Sequence, residues 1–253
     1  MRTRLLTLIG LFTLVAFANP LAAQTTKKET KITWLGHAAF EITSPAGTKL
    51  LIDPFISKNP KTPAPYKNLK RYKPAAILLS HSHADHVGDA VAIAKMTGAK
   101  VVGAHDHIRT LGLPKNQDAG GNVGGTFIFD DVTIHLVPAM HGSVPGGRPL
   151  GFVIEIKNGE RIYHSGDTWI FSDMALIHEL YAPTILLMNM GGGPYTENPK
   201  VAALAIKKYF RPRVIIPMHF GTFPPLSTAS DIEKMFAGDK RLKMMIPGES
   251  ADF

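Results

Sequence analysis

Short apolar runs separated by turn residues recur along most of the chain and predict a mixed α/β domain. Runs dominated by apolar and β-branched residues predict strands over 31–35, 39–43, 49–52, 75–79, 100–102, 126–129, 132–137, 150–156, 160–163, 184–189, 213–217 and 242–246. Apolar residues at helical spacing predict helices over 89–97, 106–111, 171–180, 199–209 and 229–236. Each half of the chain begins with strands and continues with alternating strands and helices. We therefore expect one domain in which two β-sheets pack together and helices cover the outside.

Three segments between these elements predict loops that shape a binding site. Residues 55–74 are rich in proline and basic side chains, whereas 142–149 and 190–198 are rich in glycine. Long irregular segments in a compact domain usually carry function. We expect residues 57–74 to act as a lid or rim, and all three segments to set the shape of the pocket.

The first 23 residues have the pattern of a secretory signal peptide. Two arginines precede an apolar run over 5–17, and Ala22 and Ala23 offer small residues for cleavage. The run is shorter than the roughly 20 apolar residues that a membrane span needs. An uncleaved anchor or a buried first helix is the alternative interpretation. We expect a mature domain over 24–253 that is secreted or periplasmic and has no stable membrane anchor.

Composition narrows the class of protein. Hydrophobic residues make up 45% of the chain and charged residues 19%, which is compatible with a globular core and excludes a disordered chain. The absence of cysteine excludes a disulfide scaffold and a thiol nucleophile. The net charge is +8, but the basic residues are scattered, so we expect no nucleic-acid partner. The positive charge is compatible with a small-molecule substrate that is anionic, and a homo-oligomer is left open.

The strongest chemical signal is the segment His81-Ser82-His83-Ala84-Asp85-His86, directly after the apolar run 75–79. A chain that leaves a strand needs residues that form a turn, but it does not need histidines. Folding therefore does not explain why this segment contains three of them. His81 and His83 are two residues apart and can face one point, whereas Asp85 and His86 follow the turn and can face a second. Neutral imidazole and carboxylate groups suit Zn²⁺, Mn²⁺ or Fe²⁺. This segment alone fits either one metal ion or two.

The pattern H-x-H-x-D-H resembles the metallo-β-lactamase superfamily, and further motifs follow in the order of that family. They are Val137-Pro138-Ala139-Met140-His141, His164-Ser165-Gly166-Asp167-Thr168 and Pro217-Met218-His219-Phe220. Together with Trp34-Leu35-Gly36-His37-Ala38-Ala39-Phe40 and Leu51-Ile52-Asp53-Pro54-Phe55, they resemble the branch of metal-dependent hydrolases that looks like the L-ascorbate-6-phosphate lactonase. The resemblance implies an α/β fold of the αββα type, a sandwich of two β-sheets with helices on the outer faces.

The resemblance further implies a centre of two divalent metal ions, zinc or alternatively manganese or iron. It assigns His81, His83 and His141 to one ion, Asp85, His86 and His219 to the other, and Asp167 to both. Such a pair lowers the pKa of a bridging water from ~15.7 to roughly 7. The hydroxide that results would attack the substrate, and Asp85 and His219 count as catalytic in this scheme.

Three other residues are candidates for supporting these ligands or for touching the substrate. His37 lies at the edge of the expected site, Asp53 ends an apolar strand and His164 neighbours Asp167. Such residues commonly orient a ligand histidine through its second nitrogen. A purely structural, hydrogen-bonded role for His37 is the alternative. We expect surface or packing roles for the remaining histidines, which are His105, His107, His135 and His178.

Three functions fit these observations. The first is an exported metal-dependent hydrolase that acts on an ester, a lactone or a phosphodiester. The second is β-lactam hydrolysis, and the third is an exported metal-binding protein without catalytic activity. The complete ligand set argues against the third, and no G-x-S-x-G segment competes for the role of nucleophile.

Overall fold

The computed structural model describes residues 29–144 and 146–253, so the predicted signal peptide lies outside the described residues. The strands are β1 Lys31–Gly36, β2 Ala39–Thr43, β3 Lys49–Ile52, β4 Ala76–Leu79, β5 Lys100–Ala104, β6 Asp118–Gly121, β7 Thr126–Phe129, β8 Val132–Pro138, β9 Leu150–Ile156, β10 Arg161–His164, β11 Ile185–Asn189, β12 Val214–Met218 and β13 Ser250–Asp252. The helices are α1 Ala84–Val87, α2 Ala90–Thr97, α3 His105–Ile108, α4 Met174–Tyr181, α5 Pro199–Tyr209 and α6 Ala229–Met235.

The strands form two mixed sheets, which confirms the predicted fold. The seven-stranded sheet has the order β13-β1-β2-β3-β4-β5-β6, and the six-stranded sheet has the order β12-β11-β10-β9-β8-β7. Each sheet contains both antiparallel and parallel strand pairs. The change from antiparallel to parallel pairing occurs at the pair β3–β4 in the first sheet and at β10–β11 in the second. Parallel strands need crossover connections, and the helices supply several of these.

Strand β4 shows why an uninterrupted apolar run marks the middle of this fold. Its residues alternate between two cores. Leu78 joins the large core that both sheets share, whereas Ile77 and Leu79 join a smaller core that includes Ile93 of α2. Both faces of the strand are therefore buried, which explains the absence of polar residues in it. The motif that begins at His81 therefore comes just after a strand that is held by packing on both faces.

The predicted strand over 242–246 is wrong. Only Leu242 forms a bridge, with Ile215 of β12, and the chain then leaves this sheet. It crosses to the seven-stranded sheet, where Glu249 accepts a hydrogen bond from the amide of Trp34 and β13 pairs with β1. Apolar composition predicted a strand here, but beyond this bridge and the hydrogen bond from the Lys243 amide to the Ile215 carbonyl no ladder with β12 continues among the described residues.

Two edge strands, β6 and β13, were not predicted because their sequences lack apolar alternation. In β6, glycine is required by close packing: a Cβ on Gly120 would lie 2.9 Å from the Cα of His105, and one on Gly121 would lie 2.8 Å from Leu136 Cδ1. Each predicted helix is present, although α4 begins at Met174 rather than at 171. Within the described ranges, none of the helices has the length and apolarity to cross a bilayer.

Candidate metal centre

Four loops bring the seven predicted ligands to one edge of the sandwich, and a fifth loop brings His37 there. These loops follow β1, β4, β8, β10 and β12. Potential ligand atoms lie within 4.8 Å of one another in three overlapping sets. The first set is His81, His83 and His141; the second is His81, His86 and Asp167; the third is His37, Asp85, His86 and His219. His37 thus joins the seven residues that the sequence assigned as ligands.

Asp167 lies between the two halves of this cluster. Its Oδ2 atom is 2.9 Å from Nε2 of His219, 3.2 Å from Nε2 of His86, 3.8 Å from that of His141 and 3.9 Å from that of His81. One carboxylate oxygen therefore faces imidazole nitrogens from both predicted metal positions. This is the arrangement that a bridging carboxylate requires.

In one half of the cluster, three imidazoles converge without a carboxylate of their own. Nε2 of His81 lies 3.0 Å from Nδ1 of His83, and the ring of His141 packs edge-on against both. Burial lowers the pKa of His81 well below its ordinary value and also lowers that of His141. Neutral imidazoles are the form that binds a metal ion.

In the other half, Asp85 lies between two imidazoles. Its Oδ2 atom is 3.0 Å from Nε2 of His37 and 3.9 Å from Nε2 of His219. Burial raises the pKa of the Asp85 carboxyl, but the hydrogen bond from His37 and the nearby His86 outweigh burial and hold that pKa below its ordinary value. Asp85 is therefore an ionised carboxylate, and about a third of its side chain is exposed.

Local backbone geometry sets the direction of several of these side chains. His37, His219 and Asp53 all have positive φ angles, of 58°, 61° and 41°. Non-glycine residues rarely adopt this region, and where they do the conformation often serves a site. The carbonyl of His37 accepts hydrogen bonds from the amide of His219 and from Nε1 of Trp34, both at 3.0 Å. The two loops that carry His37 and His219 are thereby fixed to each other.

Asp53 supports the cluster from behind, as predicted for a residue that orients a ligand. It accepts hydrogen bonds from the Ser80 amide at 2.8 Å and the Ser80 hydroxyl at 2.6 Å, and it lies 2.8 Å from Nδ1 of His86. Burial raises the pKa of the Asp53 carboxyl, but the adjacent His86 outweighs burial and lowers it overall. The contact at Nδ1 leaves Nε2 of His86 facing Asp167.

Of the two roles considered for His164, its position fits support of a ligand and not contact with a substrate. This side chain is completely buried, so it does not touch a substrate. Its Nε2 lies 3.1 Å from the carbonyl of Ala38, and its Nδ1 accepts a hydrogen bond from the amide of Gly166 at 3.2 Å. His164 therefore supports Asp167 indirectly, because it holds the turn that precedes it.

Several supporting residues were not singled out from the sequence. Ser80 contacts Asp53 and His81, and Thr222 contacts Nδ1 of His37 at 3.0 Å. Asn189 donates to the carbonyl of Thr168 at 2.7 Å and is close to Thr196. Ser80 directly precedes the histidine motif and Thr222 follows His219 closely, so their positions in the sequence were the available signal.

Unpaired polar atoms test whether a metal ion fits this cluster. Among the described residues, Nε2 of His86, Oδ1 of Asp167 and Nε2 of His219 are buried without a hydrogen-bond partner. The two nitrogens lie near Asp167 Oδ2 but are not directed at it as hydrogen bonds. Buried polar groups without partners are costly, and bound divalent cations would give imidazole nitrogens and carboxylate oxygens of this kind a partner. The donor set of imidazoles and carboxylates is also suited to such ions.

Comparison with known proteins agrees with this geometry. The model of the "Beta-lactamase superfamily domain" family matches residues 31–219. The chain belongs to this superfamily. It is 42% identical to a UPF0173 metal-dependent hydrolase of Anaeromyxobacter dehalogenans over 93% of this chain and 90% of that protein. It is 44% identical to another, of Myxococcus xanthus, over 85% of this chain and 78% of that protein.

A solved structure shows the same relationship. Igni18, a metallo hydrolase from the archaeon Ignicoccus hospitalis, is 37% identical, with a TM-score of 0.77 over 88% of this chain and 98% of Igni18. The protein is accordingly a metal-dependent hydrolase of the metallo-β-lactamase superfamily. The narrower resemblance to the L-ascorbate-6-phosphate lactonase stays a prediction.

Proposed function

We propose that this protein hydrolyses an ester, a lactone or a phosphodiester at a centre of two divalent metal ions. The observation that carries the proposal is the position of Asp167 Oδ2, which faces His81 and His141 on one side and His86 and His219 on the other. When bound, such a pair of ions supplies a water of lowered pKa and polarises the oxygen of the substrate. Zinc is the ion we favour, and manganese and iron suit the same donors.

The residues of the chain have separate roles in this scheme. Asp85 and His219 reach the cavity beside the cluster, whose volume is about 340 Å³. His37 positions Asp85 through the contact at Nε2, and Thr222 in turn holds His37 at Nδ1. Burial, together with His219, lowers the pKa of His37 to about 4. His37 is therefore neutral at pH 7 and adds no positive charge next to the proposed metal positions.

Metal titration tests the proposal directly. We expect metal-free protein to gain activity with Zn²⁺ until about two ions are bound per chain, because the seven proposed ligands form two half-sites joined by Asp167. Elemental analysis would give the number of ions, and the substrate panel would contain a generic ester, a lactone, a phosphodiester and a chromogenic cephalosporin.

The other outcomes of this titration are distinct. Saturation at one ion would contradict the dinuclear centre and leave a mononuclear hydrolase. Turnover of the cephalosporin alone would support β-lactam hydrolysis. Metal binding without turnover of any compound would support the non-catalytic alternative.

We also propose that the protein is exported. The support is the apolar run over 5–17, which follows two arginines and precedes Ala22 and Ala23. We expect protein recovered from its host to begin near residue 24 and to fractionate with the periplasm or the medium. Amino-terminal sequencing of each fraction measures this, and cytoplasmic protein that retains Met1 would contradict it.

A further inference from the structure

The cavity beside the metal cluster has two chemically different walls. One wall is formed by His37, His83, His141, His219 and the two carboxylates of the cluster, Asp85 and Asp167. The apolar wall is formed by Tyr195, Phe223, Pro224 and Leu226. A compound in this cavity would have its reacting group at the polar wall and the rest of its surface against apolar side chains.

The apolar wall contains a fixed aromatic ring. Phe223 lies edge-on to His37, with ring centroids 5.9 Å apart, and next to Phe55 at 6.2 Å. These contacts hold the ring, yet 40% of Phe223 is exposed, and Tyr195 is 59% exposed. Rigid aromatic side chains gain contact with a ligand at little cost in conformational entropy. Phe223 is therefore available to pack against a substrate.

Away from the metal cluster, the charge of the cavity argues against an anionic substituent. Among the described residues that line it, none is a lysine or an arginine. Lys58 lines a neighbouring cavity, which meets this one at Asp85 and Phe223. A phosphate or carboxylate against the apolar side chains, out of reach of the metal positions, would lack the charged or strongly donating partners that a buried anion needs. The positive net charge of the chain thus lies outside this cavity.

We infer that the substrate is a small, uncharged ester or lactone with an apolar substituent. This inference rests on the proposed function and narrows it. The acyl carbonyl lies at the polar wall, and the substituent packs against Phe223 and Leu226. Water adds to the acyl carbon and the acyl C–O bond breaks, so an ester gives a carboxylate, an alcohol and a proton, whereas a lactone gives a hydroxycarboxylate and a proton.

A series of 4-nitrophenyl esters tests the inference with metal-loaded protein. We expect kcat/KM to rise about fourfold per methylene from the acetate to the butyrate and the hexanoate, because each methylene is transferred from water to an apolar wall. The 4-nitrophenyl monoester of adipic acid has the same chain length as the hexanoate but ends in a carboxylate. We expect its kcat/KM to be at least tenfold lower than that of the hexanoate.

Phe223→Ala should reduce this dependence on chain length, so that the ratio of kcat/KM for hexanoate over acetate falls several-fold. Leu204→Ala is the matched control, since Leu204 is an apolar residue of α5 with 54% exposure that does not line the cavity. It should leave the ratio unchanged. A calorimetric binding measurement accompanies the kinetics: 2-heptanone, which cannot be hydrolysed, should bind more tightly than acetone, and this difference in affinity should be smaller in Phe223→Ala.

The results separate this inference from the proposed function. No turnover of any ester, lactone or phosphodiester would contradict the function itself. Ester turnover that is equal for acetate and hexanoate, or that is faster for the adipate monoester, would leave the hydrolase standing and overturn the apolar substrate. An unchanged ratio in Phe223→Ala would show that the apolar group binds elsewhere, which also overturns the inference.

Discussion

Replacing Asp85 with alanine should lower turnover at least ~100-fold, because a carboxylate that faces a metal position contributes several kcal/mol of charge stabilisation and about 1.4 kcal/mol corresponds to a tenfold rate. Asp85 is ionised, is partly exposed to the cavity and is positioned by His37. We expect the same loss in His219→Ala. The measurement is kcat for the best ester of the series, together with the number of bound ions.

The controls for this prediction distinguish loss of charge from loss of structure. Asp85→Asn keeps the size of the side chain and removes its charge, so it should be nearly as inactive as Asp85→Ala. His178→Ala changes a histidine on α4 that does not belong to any of the three sets of ligand atoms, and its activity should stay near that of the wild type. Near-native turnover in Asp85→Ala would refute the catalytic assignment.

Replacing Asp53 with alanine should lower the free energy of unfolding by about 3–5 kcal/mol, the range for removing one member of a buried, hydrogen-bonded charged pair. The side chains of Asp53 and His86 are both completely buried, and Asp53 also accepts two hydrogen bonds from Ser80. Alanine would leave these donors without a partner. Urea denaturation in the presence of a chelator measures the effect on the metal-free fold.

A surface aspartate provides the comparison for this variant. Asp252 lies 4.0 Å from Lys31 in an exposed pair, and Asp252→Ala should cost less than about 1 kcal/mol. If Asp53→Ala unfolds at the same urea concentration as the wild type, Asp53 does not stabilise the site from behind. If it fails to fold, Asp53→Asn, which keeps the shape of the side chain, should be intermediate in stability.

Much of the sandwich could be predicted because its central strands are apolar on both faces. Strand β4 is the clearest case, since Ile77 and Leu78 lie in different cores and no polar residue fits between them. The edge strands β6 and β13 could not be predicted in this way. They are defined by backbone pairing, and in β6 by the absence of side chains at Gly120 and Gly121.

In the site, too, some features could be predicted from sequence motifs, whereas others depend on the three-dimensional structure. The seven proposed ligands follow from motifs that resemble those of the superfamily and that come directly after predicted strands. The contact between His37 and Asp85 does not, because it depends on a positive φ angle at His37 and on the approach of two loops that are 48 residues apart in sequence. The complete burial of His164 could likewise not be predicted, because sequence proximity to Asp167 does not reveal depth in the fold.

The ligand cluster is also a seam between the two sheets. The loops with His37 and the motif from His81 to His86 follow strands of the seven-stranded sheet, whereas His141, Asp167 and His219 follow strands of the six-stranded one. Ions bound here tie the two layers together, and an ion that binds only the folded chain stabilises it in proportion to the logarithm of its concentration. We therefore expect the resistance of this protein to heat and proteolysis to rise with the supply of metal in its surroundings.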